Sequence, residues 1–236
     1  LLSWNAWTII ALSRTGLILD DLQYTNAAIK AQRFISEKMT DKNNRLFLRY
    51  CDGEPAHSGQ LDDYAVYSLA LIELYRSTFD TSYLKEAVFH SKQMIALFED
   101  KNTGGYYLTA HDAETLITRP KVTYDGAIPS GNSVVETVLE ELAALTGEII
   151  FREAADRQHR FMAGQIKEYP SAHCFSLTAM AKTLYPHKEL ICTGTGVPEE
   201  LYGYLRNHPA HNLSILFKSA ENEKELSEIA PFTQAY

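Results

Sequence analysis

The sequence predicts a mainly all-α fold, part of an (α/α)6 toroid, with a small βαβ appendage at its C-terminal end. Three observations predict it. Apolar helical patterns alternate with amphipathic ones through residues 1–187. The breaks align, as D-D-L-Q-Y-T-N-A-A at 20–28, D-T-S-Y-L-K-E-A at 80–87 and G-E-I-I-F-R-E-A-A at 147–155. Their period is about 60–70 residues, too long for a short-repeat solenoid and suited to helical hairpins joined by long loops. From Glu189 the pattern changes to strand, turn, helix and strand. Stacked around an axis, the apolar helices make an inner ring and the amphipathic ones an outer ring. The expected division is 1–187 for the toroid, three hairpins plus one helix, and 188–236 for the α/β appendage.

Each element follows from local chemistry. Ser3 can cap a first helix with Trp4, Trp7, Ile10, Ala11 and Leu17 on its apolar side, and Asp20-Asp21 breaks it. A second, amphipathic helix spans about Tyr24 to Met39. Arg45 to Tyr50 alternates like a short strand, and Cys51 to Gln60 reads as a loop. The third helix opens at Leu61-Asp62-Asp63 and is apolar almost all round from Tyr64 to Tyr75, as a helix covered on both sides must be. Asp80 precedes a fourth, amphipathic helix over about Ser82 to Glu99. Tyr106 to Thr109 reads as a short strand, and Ala110 to Ser130 as a long loop. A fifth helix spans about Ser133 to Leu145, with Ser133 and Glu136 at capping-box spacing. A sixth covers about Ile150 to Ile166 and a seventh about Ala172 to Tyr185. Strands are expected at Leu190–Thr193 and Leu213–Lys218, with helices from Pro198 to Arg206 and from Glu221 to Ala230. Gly194-x-Gly196 lacks the third glycine of a nucleotide loop.

Composition narrows the function classes. The formal charge of −8 and the absence of any basic run argue against nucleic acid. The three cysteines, Cys51, Cys174 and Cys192, have neither zinc spacing nor a disulfide framework, which fits a reducing cytoplasm. No apolar run is long enough to span a bilayer, and no signal peptide is visible. Leu1 stands where Met would, in a stretch that already reads as helix, so a piece of a longer protein is expected. Its inner surface would then be free to drive self-association.

Three segments carry a family resemblance: S-W-N-A at 3–6, L-D-D-Y-A at 61–65, and the long G-G-Y-Y-L-T-A through Y-D-G-A-I-P-S-G-N-S at 104–133. They resemble the family that includes spermatogenesis-associated protein 20 and its bacterial relatives. The resemblance implies an N-terminal thioredoxin-like domain, which this chain does not match. It also implies a six-hairpin α/α barrel like those of glycosidases and N-acylglucosamine 2-epimerases, of which this chain matches the later part. It names no reaction.

In such a ring the inner helices run parallel, and three polar helix starts should meet at one mouth: Ser3-Trp4-Asn5, Asp62-Asp63-Tyr64, and Asp125 with Ser130-Gly131-Asn132. Asp62 and Asp63 read either as caps or as an acid or base; Asp125 reads either as a turn residue or as a ligand. Glycoside hydrolysis needs two carboxylates across one bond, and Asp62 or Asp63 with Asp125 would supply them. Among His57, His111 and His173, His173 is the best-placed base for a proton transfer of epimerase type. Trp4 and Tyr64 read as core or as stacking platforms for a sugar-like ligand. Asn5, His57, Tyr124, Ser130 and Asn132 complete the candidate binding set, and Arg119 reads as a ligand group or as an internal partner of Asp125. No metal or cofactor is expected, because no His, Asp, Glu or Cys set has ligand spacing. The alternative to a carbohydrate-active enzyme is a non-catalytic module that docks a partner. It predicts these polar groups tied up in caps, where the enzyme predicts an open cavity.

Overall fold

The computed structural model describes residues 1–114, 117–207 and 212–236. The first six helices form three antiparallel hairpins: α1 (Leu2–Leu19) with α2 (Leu22–Lys38), α3 (Leu61–Thr78) with α4 (Thr81–Phe98), and α5 (Gly131–Thr146) with α6 (Ile149–Glu168). A 3-10 turn, Pro170–Ala172, leads into α7 (Cys174–Leu184). Helices α1, α3, α5 and α7 pack side by side as the inner arc, and α2, α4 and α6 lie outside it. This is the predicted mainly helical, toroid-type architecture.

The tight hairpin turns follow from the residues at the breaks. Asp20 ends α1 in the left-handed conformation, and Asp21 caps α2 by accepting from Gln23 N–H. Asp80 caps α4 in the same way, through Ser82 N–H. Gly147, at φ 69°, closes α5, where a left-handed residue lets the chain turn without a Cβ penalty. Helix α3 is buried from Asp63 to Tyr75 without interruption. Neighbours on both flanks and the outer layer account for its apolar circumference.

Five details differ from the sequence reading. Ser3 does not cap α1, which already begins at Leu2 and has no side-chain cap. The loop expected at Cys51–Gln60 is the return strand of a hairpin: β1 (Phe47–Cys51) pairs antiparallel with β2 (Glu54–Ser58) across Asp52-Gly53, both at positive φ. Tyr106 to Thr109 forms only an isolated bridge, Tyr106 to Glu99, because Asn132 occupies the backbone of Tyr106 instead. Helix α5 starts two residues early: Ser130 is its cap, accepting from Ser133 N–H at 3.2 Å. Glu136 is therefore not a capping-box partner and turns to His159 and Ser176.

After α7, β3 (Lys188–Thr193) and β4 (Leu213–Lys218) pair in parallel, connected through α8 (Glu199–Asn207), and α9 (Glu223–Ile229) follows. β4 is buried and joins the common core: the Tyr75 hydroxyl of α3 donates to Ile215 O at 3.3 Å, and Phe79 packs against Phe217. Among the described residues no helix is long and apolar enough to cross a membrane.

Candidate functional site

The inner helices are parallel, and hydrogen bonds mark both of their ends. At the N-terminal end, carboxylates stitch each inner helix to the next. Asp63, in the first turn of α3, accepts Gln60 N–H at 2.9 Å on one oxygen and Ser3 N–H of α1 at 3.0 Å on the other. Asp62 reaches the opposite way and lies against Gly131, the first residue of α5, whose backbone N–H it accepts. Asp125 accepts Ser130 N–H at 2.9 Å and Phe175 N–H of α7 at 2.8 Å. Each acid also faces the positive end of a helix dipole, so the clamps are charge-assisted. Burial raises the Asp63 carboxyl to about 6 against the pull of the Gln60 and Ser3 N–H groups. Burial likewise raises Asp62, against the Gly131 N–H.

The motif that follows Asp125 is equally self-satisfied. Asn132 is fully buried: its amide oxygen accepts Tyr106 N–H at 2.8 Å, and its amide nitrogen donates to Tyr106 O and Val122 O, each at 2.9 Å. Its backbone carbonyl accepts Gln158 Nε2 at 2.9 Å. His173 is buried, with Nδ1 donating to Tyr169 O at 2.9 Å and Nε2 facing Thr123 Oγ1 at 3.4 Å. That pairing fixes the tautomer with Nε2 as acceptor.

The fold therefore gathers Asp62, Asp63, Asp125, Ser130, Asn132 and His173 around the starts of α3, α5 and α7. The side chains of the other candidates take no part in these clamps. Tyr64 is buried, its hydroxyl accepting Leu46 N–H at 3.1 Å and its ring packed on Phe98 of the outer layer. Arg119 donates to Thr109 O at 2.6 Å and stacks 4.2 Å from the Tyr107 ring centre. Its expected pairing with Asp125 does not form, because backbone N–H groups occupy both Asp125 oxygens. His57 is exposed on β2, His111 is exposed, and the Asn5 side chain donates to Leu1 O. Trp4 and Tyr124 are exposed.

Two clusters escaped the sequence reading. The first is an ionic belt across the C-terminal halves of all four inner helices. Arg14 of α1 grips both oxygens of Glu73 at 2.9 Å. Arg76 joins Glu73, at 2.9 Å, to Glu141 of α5, and Lys182 of α7 holds the other Glu141 oxygen at 2.6 Å. Burial would raise the Glu73 carboxyl, but Arg76 and Arg14 bring it down to about 2. The second is His159 of α6, between Glu136 and Glu140, with Ser176 donating to the far oxygen of Glu136. Burial would lower this imidazole, but the two carboxylates raise it to about 9. The available signal was Glu73, Glu136 and Glu141 within helices buried along most of their length, since a buried charge requires a partner. Among the described residues no group of His, Cys, Asp and Glu is arranged to hold a metal ion.

Paired inner and outer helices are the architecture of the (α/α)6 glycosidase and epimerase toroids. Solved structures of that class superpose on this chain. Cellobiose 2-epimerase from Bacillus thermoamylovorans gives a TM-score of 0.56 at 17% identity, over 67% of this chain and 43% of that one. A family 76 glycoside hydrolase from Bacteroides thetaiotaomicron gives 0.56 at 18% identity, over 68% and 34%. The chain is similar to spermatogenesis-associated protein 20: the human protein is 31% identical over 157 residues, 62% of this chain. The chain spans about a fifth of that relative's length, 20% in the aligned region. No protein-family model matches the chain.

Proposed function

We propose that this chain forms a non-catalytic wall of an α/α toroid and that its inner-helix N-terminal end docks a partner domain. One observation carries the reading: both oxygens of Asp63 and both of Asp125 accept backbone N–H groups at helix starts, Asp63 from its own helix and from α1, Asp125 from α5 and α7. A carboxylate that holds two helices in register is committed, and moving it to a substrate would cost the clamp. The partner that fits is the thioredoxin-like domain the family resemblance implies. Residues 188–236 are an appendage to the toroid segment in this reading, and the three free thiols suit a reducing, cytoplasmic setting.

A carbohydrate-active reading has its own support. The fold is that of epimerases and glycoside hydrolases. A carboxyl near 6, as at Asp63, suits a general acid, and the exposed Trp4 and Tyr124 rings are free to stack on a sugar. In it, Asp62, Asp63, Asp125 and His173 supply the chemistry, and Asn5, His57, Tyr64, Arg119, Ser130 and Asn132 the polar wall.

The two are separated by a thermal-shift and turnover screen of mono- and disaccharides on the protein and on its Asp63→Asn/Asp125→Asn variant. The docking reading expects no sugar-dependent shift in either and a lower melting temperature in the variant. A sugar that stabilises the parent but not the variant, or is turned over only by the parent, overturns it.

A further inference from the structure

A cleft of about 600 Å³ opens between the C-terminal half of α5, the first half of α6 and the end of α7, on the side away from the mouth. That volume is in the range of small-molecule sites. Its charged lining falls into two sets. Glu141 is spent on Arg76 and Lys182, and Glu140 on His159, so these groups neutralise one another. Arg152, Asp156 and Glu189 also line the cleft, and none has an ionic partner among the described residues. Arg152 and Asp156 stand one turn apart on α6, a spacing at which an Arg–Asp pair readily forms, yet no such pair is made and both residues line the cleft. The unspent groups are thus one guanidinium and two carboxylates.

We propose that this cleft binds a small molecule bearing one carboxylate and two cationic groups, the chemistry of a free basic amino acid. The Arg152 guanidinium donates to the ligand carboxylate through its planar fork, a geometry that a carboxylate matches and an ammonium or a hydroxyl does not. Asp156 and Glu189 take the two cationic groups. Lys182 and His159, fixed by their own carboxylates, form a rigid polar floor that adds no net demand for charge. The site is separate from the helix-N-terminal mouth and stands whether or not that mouth binds anything.

Isothermal titration calorimetry on the intact protein at low ionic strength tests it, with L-lysine, cadaverine and glucose as probes. L-lysine is expected to bind, cadaverine about tenfold more weakly for want of the carboxylate, and glucose not at all. Arg152→Gln is expected to remove the preference for lysine over cadaverine. Asp156→Asn/Glu189→Gln is expected to weaken both amines. All three side chains are exposed, so the variants keep the fold, which circular dichroism checks. No heat with L-lysine overturns the proposal. So does equal binding of lysine and cadaverine to the parent, which would mark ordinary acidic-surface attraction, or a preference for glucose.

Discussion

His159 is the residue whose ionisation the fold controls most visibly. Both ring nitrogens face carboxylates, Glu136 on one side and Glu140 on the other, and only an imidazolium can donate to both. Its folded pKa of about 9 lies above the unfolded value of 6.5. The sign follows: the stabilisation is present in full below pH 6.5 and is lost as pH rises through 9. Allowing for solvent screening at a partly exposed pair, it amounts to about 1–2 kcal/mol. Thermal melts between pH 6 and 10 should show the parent losing this increment and His159→Gln lacking it. Parallel curves for the two proteins would refute the assignment. Single residues were the least legible scale in the sequence. Asp62, Asp63 and Asp125 could be placed at helix starts, but whether each met water or the next helix depended on contacts between distant segments. Asp63 and Ser3, for instance, are separated in sequence yet 3.0 Å apart.

Elements were far more legible, because apolar period and break residues are local. The alternation of apolar and amphipathic stretches gave the inner and outer helices, and Asp20, Asp80 and Gly147 marked their turns. Two of the misreadings share one cause, competition for backbone groups. Asn132 takes the Tyr106 backbone and leaves only a bridge there, and Ser130 outcompetes Ser133 as the cap of α5. Gly131 reports on how tightly α3 and α5 are joined. A Cβ built there would stand 2.2 Å from Asp62 Oδ1 and 3.1 Å from the Leu61 side chain. Gly131→Ala must therefore push the two helix starts apart or expel Asp62. A loss of about 1–3 kcal/mol is expected, the usual range for overpacking. Urea denaturation measures it; an unchanged midpoint would mean that the Asp62 clamp gives way freely.

At the scale of the whole molecule, the two ends of the inner arc are held by different chemistry. Carboxylate to backbone N–H clamps join the N-terminal ends, and the belt Arg14–Glu73–Arg76–Glu141–Lys182 joins the C-terminal ends. The clamps resist sliding of one helix along another, and the belt ties all four helices in series. Burial of Glu73 and Glu141 makes it more than a surface decoration: a carboxylate left buried without its cation costs about 3–5 kcal/mol. Arg76 is the link that serves both acids, but Glu73 keeps Arg14 and Glu141 keeps Lys182, so Arg76→Met is expected to cost less than that, about 1–3 kcal/mol; Glu141→Met leaves Lys182 without its carboxylate, while Arg76 keeps Glu73. The double variant removes both halves of the pair at once, while Glu73 keeps Arg14. Its cost should fall short of the sum of the singles by about 1–3 kcal/mol, the coupling expected of groups in one network. Guanidinium unfolding of the four proteins measures the cycle. Strict additivity would mean that the belt is a set of separate pairs, each serving only its own two helices, with no series coupling from α1 to α7.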